Sequence, residues 1–198
     1  MKKILFYAIP ILLGGCVPIL SVNPFFTDLD VVFEEKLLGA WVDDINDPDM
    51  TWMFSRNEED PNNAYQLSII NREGDKGSFN AVLMKLGSNL FLDIYPNKEP
   101  WDEEDPNNIK FIFNAFFLIP THSIIKVDSI GQQLLLKLTQ DEEFEEFIKD
   151  YPDAIQYADN ENVKVLTAST KELQAFIKKY SDDDRLFPDE NKLVRKEE

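Results

Sequence analysis

The chain carries one cysteine, Cys16, and one histidine, His122, beside 37 acidic residues. Few reactions can be assembled from that set. There is no Gly-x-Ser-x-Gly elbow, no His-Glu-x-x-His pair and no glycine-rich phosphate loop. A lone imidazole cannot form a His-rich metal site, and no nucleophile motif points to a Ser-His-Asp triad. His122, following Pro120-Thr121 at a strand start, is therefore read as structural or exposed. Neighbouring acids such as Asp43/Asp44 have the residue types of a glycosidase, but in so acidic a chain pairs arise by chance. The hexapeptide Glu58-Glu59-Asp60-Pro61-Asn62-Asn63 recurs as Glu103-Glu104-Asp105-Pro106-Asn107-Asn108. Its carboxylates and amides are hard ligands suited to calcium, yet neither copy has the Asp-x-Asp-x-Asp-Gly spacing. Asp-Pro-Asn-Asn is a good turn sequence, and both copies are read as solvated hairpin turns. No catalytic, cofactor or metal residue is assigned, and the expectation is a protein that is not an enzyme.

The cysteine has a different context. Lys2-Lys3 precedes an apolar run from Ile4 to Leu13, and Gly14-Gly15-Cys16 follows. About ten apolar residues are half of the roughly twenty that span a bilayer, so the segment reads as an export signal. Leu13-Gly14-Gly15-Cys16 resembles a bacterial lipobox. That resemblance implies cleavage before Cys16, a diacylglyceryl group on its thiol and a third acyl chain on the new amino terminus. One chain anchors only marginally, at about 0.8 kcal/mol per buried CH₂, whereas several hold a protein stably on a membrane. A modified Cys16 leaves no thiol for disulfides, thiolate catalysis or metal binding. Val17, rather than an aspartate, follows the cysteine. By the sorting habit of enteric bacteria this implies the periplasmic face of the outer membrane.

The formal charge is −17, and the leader holds Lys2 and Lys3, so the mature chain is more acidic still. Nucleic acid is excluded as a partner by like charge. The acids concentrate in 43–49, 58–60, 99–105 and 182–190, which read as loops and ends. Fifteen Phe, six Tyr and three Trp supply a core. The expected organisation is a signal peptide over 1–15, a lipidated tether over 16–36 that begins to dock near Phe25-Phe26, one domain over 37–182 and a charged, frayed tail over 183–198.

The elements that position these residues are mainly strands. Period-two alternation predicts strands at 37–43, 51–56, 64–70, 78–86, 89–95, 109–118, 122–128 and 133–138. Turn residues such as Asn46-Asp47-Pro48-Asp49 and Gly87-Ser88-Asn89 link them. Eight short strands on short turns imply an antiparallel up-and-down β-barrel, because closure removes the exposed edges. Phe144, Phe147, Ile148 and Tyr151 fall at helical spacing, as do Leu173, Phe176, Ile177 and Tyr180. Two C-terminal amphipathic helices are expected to pack on the barrel, the second opened by a capping box between Ser169 and Glu172. A ninth strand is expected at 162–167.

Gly39-Ala40-Trp41 at the first strand resembles the signature of lipocalin and calycin barrels, and the fold is expected to be lipocalin-like. The resemblance implies a Trp that closes the barrel base beneath a ligand cavity. The run from Asn23 through Trp41 is also similar to the start of small uncharacterised bacterial lipoproteins. Two functions remain open. One is a barrel holding a small apolar or amphipathic ligand near the membrane, with Trp41, Trp52, Phe54 and Tyr65 as candidate contacts. The other is an interaction or assembly module contacting an envelope protein. The run 111–119 is apolar on both faces and needs a cover, which the helices or a partner would supply.

Overall fold

The computed structural model describes residues 18–97, 119–139, 141–159, 164–188 and 190–196. Cys16, the expected strand at 109–118 and the second copy of the hexapeptide lie outside the described residues.

Eight antiparallel strands close a barrel: β2 (Gly39–Val42), β3 (Met50–Arg56), β4 (Tyr65–Asn71), β5 (Lys76–Leu86), β6 (Asn89–Pro96), β7 (His122–Ile130), β8 (Gln133–Leu138) and β11 (Glu190–Arg195). Consecutive strands pair from β2 through β8, and β11 pairs with both β8 and β2, so no barrel edge is left open. This is the closed antiparallel barrel that the alternation predicts, and it is consistent with the lipocalin-like fold implied by the resemblance at Gly39-Ala40-Trp41. The eighth strand of the barrel among the described residues is Glu190–Arg195, in the stretch expected as a charged tail. The C-terminal tail is correspondingly not frayed: Leu186 and Phe187 are each 1 % exposed, and β11 completes the sheet. Lys192-Leu193-Val194-Arg195 has too few apolar residues to announce a strand, but both neighbouring edges offer it backbone partners.

A three-stranded wing continues the sheet beyond β7. It consists of β1 (Leu20–Ser21), β10 (Lys164–Leu166) and β9 (Tyr157–Asp159). The strand expected at 162–167 is β10. The stretch expected as a tether docks from Ile19, which is buried, and Phe25 is wholly buried. Further along, residues 30–32 bond to β5 where β4 has ended, through Val32 N–H to Leu83 O and Lys85 N–H to Asp30 O.

Two cores result from the alternation of side chains along each strand. The barrel interior holds Trp41, Trp52, Phe54, Tyr65, Leu67, Leu83, Leu92, Ile125 and Leu134 among others. Outside the wall, Met84, Phe91 and Ile124 meet α1 (Asp141–Asp150) and α2 (Thr170–Tyr180) through Phe144, Phe147, Leu173, Phe176 and Ile177. The Ser169 side chain caps α2 and the Glu172 carboxylate returns to the Ser169 backbone N–H, the reciprocal box predicted from their spacing. Phe187 anchors the approach to β11 against Phe91, with ring centres 5.8 Å apart.

Candidate functional site

The barrel's two ends differ. At the base, a 3-10 turn, Glu35–Leu37, crosses the opening and buries Leu37. Trp41 is wholly buried, and its indole N–H donates to Leu37 O at 2.8 Å. The Arg195 guanidinium lies 4.3 Å from the Trp41 ring centre. Its Nη1 donates to Leu38 O at 2.8 Å, and its Nη2 to Lys36 O. One arginine therefore ties the last strand to the turn and the first barrel strand. Gly39 is demanded twice here: its φ is +113°, and a Cβ would stand 2.7 Å from Arg195 Nη1.

Tyr65 belongs to the same closed end. Phe33 stacks on it at 4.5 Å and Phe54 meets it edge-on at 6.1 Å. The Glu34 N–H donates to the Tyr65 hydroxyl at 2.7 Å, and burial pushes the phenol up to about 12.

The other end is rimmed by Met50, Ile69, Phe79, Ile94 and Leu138, all half-buried and packed on the interior cluster. They lie in the first half of β3 and β5 and the last half of β4, β6 and β8, the ends opposite Gly39. Trp52 pairs with Ile69 of this rim. Of the four candidate ligand contacts, Phe54 and Tyr65 pack the base half. Trp41 and Trp52 are direct cross-strand partners, the Trp41 indole reaching down to Leu37 O while Trp52, 8 % exposed, is flanked by Ile69 of the rim. The structure brings all four into one interior cluster.

Two features escaped the sequence reading. Arg195 gives no signal inside a charged C-terminal run. The second is a pair on the outer wall: His122 Nδ1 lies 2.7 Å from Asp93 Oδ1, and the Phe25 N–H donates to Asp93 Oδ2 at 2.7 Å. An aspartate inside the apolar run Leu90-Phe91-Leu92-Asp93-Ile94 was the available clue, since a charge at such a place needs partners. Burial holds the Asp93 carboxyl above the ordinary range, with His122 and the Phe25 N–H pulling the other way.

Among the described residues no group of three or more His, Cys, Asp or Glu is placed to hold a metal ion, and no helix is long and apolar enough to cross a membrane. Fold and site together define a closed, eight-stranded lipocalin-like barrel with one sealed end. Compared with protein-family models, curated proteins and solved structures, the chain matches none.

Proposed function

We propose that this is a lipid-anchored protein of the bacterial cell envelope, held through Cys16 at the periplasmic face of the outer membrane. Its barrel takes a small apolar or amphipathic ligand through the rim opposite Trp41. The observation that carries this reading is the aromatic barrel interior, with Trp41 wholly buried under a covered base. A 3-10 turn and the stacked Arg195 cover that end. Half-buried apolar side chains of the interior cluster stand at the rim (Met50, Ile69, Phe79, Ile94, Leu138) as well as toward the base (Val32, Phe33, Leu38, Leu90, Ile130). Half-buried apolar groups at the rim would be stabilised when a ligand covers them, by about 25 cal/mol per Å². An anchor at Cys16 would hold the barrel near a supply of acyl chains. The role is binding, not catalysis.

Native mass spectrometry on residues 17–198 exposed to an envelope lipid extract tests it. The expected result is a bound species of defined mass, lost in a folded Ile69→Asp variant. A clean apo mass throughout would favour the second reading.

That second reading is an assembly module contacting an envelope protein. The observation favouring it is a groove of about 1060 Å³ between residues 151–157 and α2, lined by Tyr151, Tyr157, Phe176 and Tyr180.

A further inference from the structure

On the outer wall of β5, β6 and β7, separate from the barrel interior, lies a pocket of about 260 Å³. Asp93 and His122 both line it. Asp93 is 1 % exposed, and its two oxygens are fully engaged, one by the Phe25 N–H and one by His122 Nδ1. The Tyr95 ring lies against the imidazole with centres 4.6 Å apart, so the ring is held in plane and in tilt. A neutral imidazole that donates from Nδ1 to the carboxylate presents Nε2 as an acceptor. Nε2 has no hydrogen-bond partner among the described residues. A histidine oriented by a buried carboxylate through one nitrogen is set to use the other.

The rest of the pocket is acceptor-rich. Asn57 Nδ2 donates to Asn80 Oδ1 at 2.7 Å, and Asn57 Oδ1 accepts the backbone N–H groups of Glu59 and Asp60 at 2.9 and 3.2 Å. That amide pair fixes the hairpin backbone carrying two exposed carboxylates into the pocket wall. Among the described residues no Lys or Arg lines the pocket, and Phe26 and Tyr95 supply aromatic rings. We infer that this pocket binds a small organic amine in its protonated form. The ammonium donates to His122 Nε2 and to the Glu59 and Asp60 carboxylates, its carbon chain rests on the aromatic rings, and the acidic chain as a whole attracts it. The site does not depend on the barrel interior, and it stands or falls independently of the ligand proposed there.

His122 is the only histidine, so its ring resonances identify themselves. Putrescine titrated into the chain from residue 17 onward, followed by the His122 ring proton shifts, is expected to give a saturable change. The uncharged isostere 1,4-butanediol is expected to give none. The exposed double substitution Glu59→Gln, Asp60→Asn should weaken putrescine by about tenfold or more, the scale of a lost charge-assisted hydrogen bond. An unsaturable or absent shift, an equal response to butanediol, or undiminished binding by the double variant would each overturn the assignment.

Discussion

The Arg195 guanidinium lies over the Trp41 ring at 4.3 Å while its two terminal nitrogens donate to Leu38 O and Lys36 O. Residues 154 positions apart in the chain thus share one plug, and the plug holds together the two strands whose pairing closes the barrel. Arg195→Ala removes a cation–π contact and two hydrogen bonds to carbonyls. It should cost about 2 kcal/mol, with Arg195→Lys recovering only part because one ammonium cannot span both carbonyls in a fixed plane. Urea denaturation of both variants measures this, and a loss below about 0.5 kcal/mol in the alanine variant would contradict the plug.

Gly39→Ala attacks the same place through the backbone. A residue with a Cβ at φ +113° is strained by about 1–3 kcal/mol, and the new methyl also displaces Arg195. The same denaturation series checks it. In the Arg195→Ala background the steric part of the loss should shrink while the backbone part remains.

Ending the chain after Pro188 removes β11 and leaves β2 and β8 as bare edges. The expected outcome is loss of cooperative unfolding and of near-ultraviolet circular dichroism, together with aggregation at the exposed edges. A truncated chain that unfolds cooperatively near the parent's midpoint would show that β11 only decorates the barrel.

The buried Asp93 gives a pH signature. Burial raises its carboxyl from 3.8, and His122 opposes that rise. A carboxyl raised in the folded state contributes stability that is full below its unfolded value and is lost as pH rises through its folded value. Removing His122 widens that window, because the carboxylate then ionises without the hydrogen bond His122 supplies. His122→Ala should therefore cost little near pH 4 and about 2–3 kcal/mol at pH 7, whereas Asp93→Asn, which removes the titrating carboxyl, should cost most at low pH and less as pH rises. Denaturation midpoints at several pH values decide between the two slopes.

Ser169→Ala removes the cap of α2 and should cost about 1 kcal/mol, read from thermal or urea midpoints. This was among the most legible features of the chain, because a capping box is local: Ser169 and Glu172 find one another within one turn. The same holds for the alternating strands from Met50 to Leu86 and for the helical stripes of Phe144 and Leu173, whose burial follows from spacing alone. Arg195, β11 and the Asp93–His122 pair were not legible for the opposite reason. Each depends on a partner far away in the chain: Lys192-Leu193-Val194 becomes a strand only between two waiting edges, and His122 looks solitary until β6 brings Asp93 beside it. Among the candidate ligand contacts, residue type alone could not separate Trp41 from Trp52. That difference arises from which end of the barrel the arginine seals.

It is also the difference that tests the account most directly. With Trp101 replaced by Phe in both variants, Trp41→Phe leaves Trp52 as the single tryptophan and Trp52→Phe leaves Trp41. Titration with a brominated fatty acid, whose bromines quench an indole on contact, should quench Trp52 saturably and leave the sealed Trp41 bright. Absence of quenching in both variants, or equal quenching of Trp41, would contradict a ligand entering the barrel at the rim.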